Sequence, residues 1–373
     1  MPKFSPQDSK HSSNQAIAMA TSRTSHIFFI SLLLLSFILQ TSGITEIGTP
    51  VPCVPVATGD CYNKPEAQNL KIIAFIAILI TSMIGVSLPL FSRSVPALQP
   101  DQDLFVLVRA FASGVILATG YMHVLPDSFD CLRSPCLPDN PWKKFPFTTF
   151  VAMISAVVTL MIDSFAMSFY NKYNRTKRVE TSKRIIDSDD SSCKSTGHYH
   201  AIGTIDDEEP SEQLSRNRIV AQVLELGIVV HSVVIGLSLG ASQNPCTIKP
   251  LVAALCFHQL FEGMGLGGCI LQAEYGNKMK AIMVFFFSTT TPFGIGLGIG
   301  LSNVYSDNSP TALIVVGLLN ACSAGLLNYM ALVDLLAADF LGPKLQSSVK
   351  LQLLAYLAVL LGAGGMSVMA KWA

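Results

Sequence analysis

His258 and Glu262 stand four residues apart in the run LCFHQLFEGMGLGG, and His231 lies in a second run, LELGIVVHSVVIGLSLG. On a helix, positions four apart project from one face. Ionisable side chains inside long apolar segments are costly in lipid, so each one points to function by default. Two imidazoles and a carboxylate make a ligand set suited to Zn²⁺, Fe²⁺, Mn²⁺ or Co²⁺. Ser232 and Gln259 are neutral donors beside these ligands and suit a weaker second position. His231 falls about twelve residues into its segment, roughly 18 Å at helical rise. His258 and Glu262 fall about nine and thirteen residues into theirs, counted from the opposite side. Both groups therefore reach one depth, near the bilayer midplane. A single buried histidine is usually a structural residue; three convergent ligands at one depth are read as a metal site.

Three further groups could do chemistry. His123, Asp127 and Asp130 close the second apolar segment on one helical face, and are read as a filter that collects cations at the external mouth. The alternative is an ordinary helix end. Asp163 is a lone acid about sixteen residues into the third segment, read either as a pathway residue or as partner to a hydroxyl on another helix. His198 and His200, followed by the acidic run Asp206 to Glu209, are read either as a solvated linker or as a cytoplasmic metal-binding tract.

The elements that must hold these residues are set by composition. Half of the 373 residues are hydrophobic and only 13% are charged, where a soluble domain carries about a quarter. Mean hydropathy is +0.47. The apolar residues fall in eight blocks, at 70–91, 104–125, 147–170, 219–241, 250–271, 280–302, 311–336 and 350–370. Each is long enough for a membrane-spanning helix and too continuous for a barrel strand. The fold class is an all-α membrane protein of eight transmembrane helices. A net charge of zero excludes nucleic acid as a partner, since no basic surplus exists to meet phosphates. The partners expected are divalent metal ions, the lipid bilayer and a second copy in a homodimer; no cofactor is expected, because the metal is cargo.

Arg23 and His26 precede the short apolar run from Ile27 to Leu39, and Thr41, Ser42 and Gly43 follow it. Residues 1–43 are read as a signal peptide, and 44–69 as an extracellular segment. Helices 1–3 then occupy 70–170, a polar loop 171–218, helices 4 and 5 with the metal site 219–271, and helices 6–8 the remainder, 272–373. The 171–218 stretch is rich in Ser, Asp and Lys and is expected to be mostly disordered. Its basic residues, with Lys278, Lys280, Lys344 and Lys350 in the alternate connections, place it in the cytoplasm and both termini outside. Among the nine cysteines, Cys53–Cys61 and Cys131–Cys136 are candidate local disulfides. Gly236, Gly240, Gly263, Gly265, Gly267 and Gly268 are expected to allow close helix contact.

The stretches ELGIVVHSVVIGLSLG (225–240), HQLFEGMGLGG (258–268), HVLPDSF (123–129) and GLLNACSAGLLNYMALVDLL (317–336) resemble the ZIP (Zrt/Irt-like) metal transporters, especially the plant iron-regulated branch. The resemblance covers about residue 53 to the C-terminus. It implies an eight-helix bundle with pseudo-symmetric inverted halves that carries metal into the cytoplasm. It implies transport-site roles for His231, His258 and Glu262, with Ser232 and Gln259 beside them, and links His123, Asp127 and Asp163 to uptake and metal choice. Two departures stand out: Asp130 replaces a Glu of near members, and the cytoplasmic loop keeps only His198 and His200 of a longer His-Gly repeat. Ile235 stands where other members place an acid for a second metal, so one strong site is expected.

Two rival functions compete. An intramembrane zinc hydrolase would need a general base beyond its ligands, yet no H-E-x-x-H occurs and Glu262 is itself a ligand. A metal-gated channel or receptor would more naturally show a ring of like residues. The reading adopted is a transporter of divalent transition metals, Fe²⁺ or Zn²⁺ and with them Mn²⁺, Co²⁺ or Cd²⁺, in the plasma membrane or an intracellular vesicle membrane.

Overall fold

The computed structural model describes Cys61 and residues 63–91, 102–189, 209–301 and 309–371. Eight helices among the described residues are long and apolar enough to cross a membrane. We number them α1 (Lys64–Phe91), α2 (Asp103–Leu132), α3 (Phe147–Asp189), α4 (Glu209–Ala241), α5 (Pro245–Gln272), α6 (Asn277–Leu301), α7 (Pro310–Phe340) and α8 (Val349–Ala370). No strand occurs among the described residues. Intrasegment hydrogen bonding satisfies the backbone without water, which is why apolar runs of this length become helices.

Several ends differ from the sequence expectation, each for a local reason. Residues 171–189 continue α3 as helix, and α4 begins at Glu209, so much of the polar stretch expected to be disordered is helical. His198, His200 and the signal segment 1–43 lie outside the described residues. The connection between α4 and α5 is only residues 242–244, because α5 starts at Pro245 rather than 250. Asn244 caps it, its side chain accepting from the Cys246 backbone N–H at 2.9 Å, and Pro245 occupies the first turn, where no amide donor is needed.

The second helix runs to Leu132 instead of ending near 125. Gly120–Val124 form a π-helical segment directly before Leu125 and Pro126. A proline ring collides with the carbonyl four residues earlier, and a widened turn relieves that collision without ending the helix. A second π segment, Met330–Ala337, interrupts α7.

The bundle has an inner and an outer layer. Within their most apolar windows α4 is 83% buried and α5 72%, whereas α3 is 11% and α8 17%; α4 and α5 are thus core elements and α3 and α8 face outward. The principal packing pairs are α1 with α5, α4 with α6, α2 with α8, and α3 with α7. Glycines make all four of these contacts close, two of them at the core helices α4 and α5. Gly263 and Gly267 of α5 lie against the backbone of Val86 in α1, while Gly236 and Gly240 of α4 lie against Gly294 and Gly298 of α6. Gly265 and Gly268 instead face the side chains of Ile116 and Phe105.

The disulfide pairing corrects both local expectations. Cys61 is joined to Cys246, and Cys136 is disulfide-bonded but not to Cys131. The Cys61–Cys246 link, with Lys249 Nζ 2.7 Å from Glu66 Oε1, ties the start of α1 to the start of α5. Sequence neighbours did not pair because two helix starts, 185 positions apart, were brought together by packing.

Candidate metal centre

His231 comes from the middle of α4, and His258 and Glu262 from consecutive turns of α5. Gly236 holds α4 against α6 one turn from this point, and Gly263 holds α5 against α1 directly beside Glu262. Ligand atoms of His231, His258 and Glu262 lie within 4.8 Å of one another. The three residues are at most 1% exposed. Both ring nitrogens of each histidine and both carboxylate oxygens of Glu262 have no hydrogen-bond partner. Buried polar atoms are nearly always satisfied, and stranding six together is costly. A divalent cation would supply the missing partner for several at once.

His123 is placed differently from the sequence expectation. Rather than standing at the mouth, it is 5% exposed, with its ring centroid 6.4 Å from that of His231 and 6.0 Å from that of His258. The His231 and His258 rings are themselves 5.9 Å apart, so the three imidazoles form a near-equilateral triangle with Glu262 close by. The π segment explains this. Its wide turn rotates the residues around His123 relative to a regular helix. His123 Nε2 also lacks a partner, while its Nδ1 sits 4.0 Å from an Asp127 carboxylate oxygen. Asp127 is partly exposed one turn further out, and Asp130 is exposed beyond it. The cluster read as one filter is therefore a file: exposed Asp130, half-exposed Asp127, buried His123.

Ser232 and Gln259 are each 1% exposed, and Ser232 Oγ and Gln259 Nε2 have no partner. Asp163 is not brought to this group. It lies toward the other end of the bundle near Tyr329 and Asp334 of α7 and Arg216 of α4, and neither of its carboxylate oxygens has a hydrogen-bond partner. Sequence reading passed over Asp334 and the buried Arg109–Asp339 ion pair (3.1 Å). The signal was available for Asp334 and Arg109, which are ionisable residues inside apolar runs.

Eight membrane-length helices around an orphaned histidine–carboxylate cluster fit the class of metal-ion transporters. The family described as ZIP Zinc transporter matches residues 68–370, and the chain belongs to it. Among its relatives are Fe(2+) transport protein 1 of Oryza sativa subsp. japonica, 63% identical over 86% of this chain and 89% of that one, and Fe(2+) transport protein 1 of Arabidopsis thaliana, 55% identical over 97% and 99%. Probable zinc transporter 8 of Arabidopsis thaliana is 59% identical over 96% of this chain and 100% of its own length. The transported metal is substrate, not cofactor.

Proposed function

We propose that this chain carries Fe²⁺ or Zn²⁺, and with them Mn²⁺, Co²⁺ or Cd²⁺, toward the cytoplasm through the site formed by His231, His258 and Glu262, with His123 as a fourth ligand. The observation that carries this reading is the convergence of unpartnered nitrogen and oxygen donors from α2, α4 and α5 at one buried point. Three imidazoles and a carboxylate suit borderline divalent metals better than Ca²⁺ or Mg²⁺, which favour all-oxygen sites. The rise in exposure from His123 through Asp127 to Asp130 supports delivery from that end of the bundle.

Direction and location rest on two independent supports. Basic residues concentrate in the connections at the opposite end, the cytoplasmic side by the positive-inside rule. The Cys61–Cys246 disulfide lies at the end that carries Asp130, and disulfides persist in oxidising compartments. A plasma-membrane location with the signal segment 1–43 removed, and a homodimer, complete the reading. The inverted-repeat reading is supported by packing. Exchanging α1 with α6, α2 with α7, α3 with α8 and α4 with α5 turns the α1–α5 pair into α6–α4 and the α2–α8 pair into α7–α3. The same exchange maps the π segment of α2 onto that of α7.

The test is saturable uptake of ⁵⁵Fe²⁺ and ⁶⁵Zn²⁺ into cells expressing the full chain, compared with H258A/E262A. Saturable uptake that the double substitution abolishes is the expected result. Near-normal uptake by that variant, with equal protein at the membrane, would sink the proposal.

A further inference from the structure

Glu225 has no role in the site described above. It lies on α4 seven residues before Ser232, which is two helical turns and about 10 Å toward the basic-loop end on the same face. Gln222 and Arg218 continue that face, so one stripe of an otherwise apolar core helix reads Arg218, Gln222, Glu225, Ser232. Leu224, Ile228 and Val229 around it are buried. Glu225 is 9% exposed, and its Oε1 has no partner. A carboxylate with a stranded oxygen in an apolar surround is destabilising unless it receives a cation or proton.

The far end of the stripe is closed. Tyr275, in the turn between α5 and α6, is 5% exposed. Its hydroxyl donates to the Arg218 carbonyl at 2.9 Å, while Arg218 Nε donates to the Ala273 carbonyl at 3.0 Å. Asn217 Nδ2 donates to the Gln272 carbonyl at 3.3 Å, and the Arg218 guanidinium sits 5.7 Å over the Tyr275 ring. Gln222 and Glu225 both lie near the Tyr275 hydroxyl. Glu225 thus stands on a stripe of polar residues between the three-ligand cluster and a turn hydrogen-bonded to α4 at Asn217 and Arg218.

We propose that Glu225 is a second, transient binding position for the transported divalent cation, reached after the histidine cluster and before exit past Tyr275. This rests on the transport reading given above. A single carboxylate, with the neutral oxygens of Gln222 and Tyr275 nearby, would hold a borderline dication more weakly than three imidazoles and Glu262. A cation leaving the cluster would therefore be relayed rather than trapped.

The test compares E225Q and E225D with the wild-type full chain, reading ⁶⁵Zn²⁺ uptake in cells and Zn²⁺ binding to the purified protein in detergent. E225Q keeps the shape of the side chain but carries no charge. It should lower the maximal uptake rate about tenfold, with Zn²⁺ affinity and membrane abundance unchanged, and E225D should restore part of the rate. Uptake by E225Q at the wild-type rate overturns the proposal, and so does loss of Zn²⁺ binding together with transport. Should E225Q fail to reach the membrane, Q222L reads the same stripe: a lowered maximal rate supports the proposal and an unchanged one overturns it. Wild-type protein that takes up neither ⁶⁵Zn²⁺ nor ⁵⁵Fe²⁺ defeats the transport reading itself, whereas intact wild-type uptake with an unaffected E225Q defeats only the Glu225 assignment.

Discussion

A divalent cation entering the His231–His258–Glu262 cluster must exchange its water shell for protein donors, and each donor withheld raises the energy of the bound ion. His231→Ala, His258→Ala and Glu262→Ala should each reduce uptake of every metal to background at normal membrane abundance. Because the ligands act as one unit, double substitutions should be no worse than singles. Ser232→Ala and Gln259→Ala should be milder, since neutral donors hold a dication less strongly. His123 is buried, whereas Asp127, 4.0 Å from its Nδ1, and Asp130 are open to solvent in part or fully. His123→Ala should slow all metals, whereas Asp127→Ala and Asp130→Ala should change the order of preference and keep transport of at least one metal. Parallel uptake series with Fe²⁺, Zn²⁺, Mn²⁺ and Cd²⁺ check this, and equal slowing of every metal by D127A or D130A would move selection elsewhere.

At the level of elements, the site depends on how closely helices approach. A Cβ on Gly236 would meet the Thr291 carbonyl oxygen at 2.6 Å and Gly294 at 3.1 Å. Neither backbone can yield without separating α4 from α6. Gly236→Val should destabilise the bundle by about 2 kcal/mol or more, read as a lower melting temperature in detergent and reduced abundance. Gly296 has nothing within 4 Å of its added Cβ, so Gly296→Ala should melt at or above the wild-type temperature. The Arg109–Asp339 pair joins the start of α2 to the end of α7, with side chains 9% and 19% exposed. Removing one partner strands the other charge, so Arg109→Ala should cost about 3 kcal/mol. Arg109→Ala/Asp339→Ala should cost less than the single change, and a melting series on the two variants decides it.

For the whole molecule, orientation and covalent linkage can be read together. A tag near Ser188 should be reachable only after permeabilisation, and one just after Gly43 on intact cells if it is retained in the mature chain; reversed labelling of Ser188 would overturn the assigned direction. A protease site inserted between residues 190 and 208 would cut the chain between Cys61 and Cys246. The two fragments should stay joined without reductant and separate with it, and fragments that part without reductant would exclude the disulfide.

Much of this architecture was legible in the order of residues because its causes are local. A run of about 20 apolar residues becomes a helix in lipid whatever its neighbours are, and all eight spans follow from that. His258 and Glu262 share a face because four residues make about one turn. What the sequence left open depends on neighbours distant in the chain. Membrane helices are apolar on the protein face and the lipid face alike, so little in the pattern says which helix a face will meet. Thus α6 and α1 as the close partners of α4 and α5 became visible only with the packed bundle. So did Asp334 beside Asp163, and Cys246 as the partner of Cys61. His123 is the sharpest case. Its spacing to Asp127 suggested one exposed face, but a π turn before Pro126, accommodated against α7, rotates its ring inward to the other two histidines.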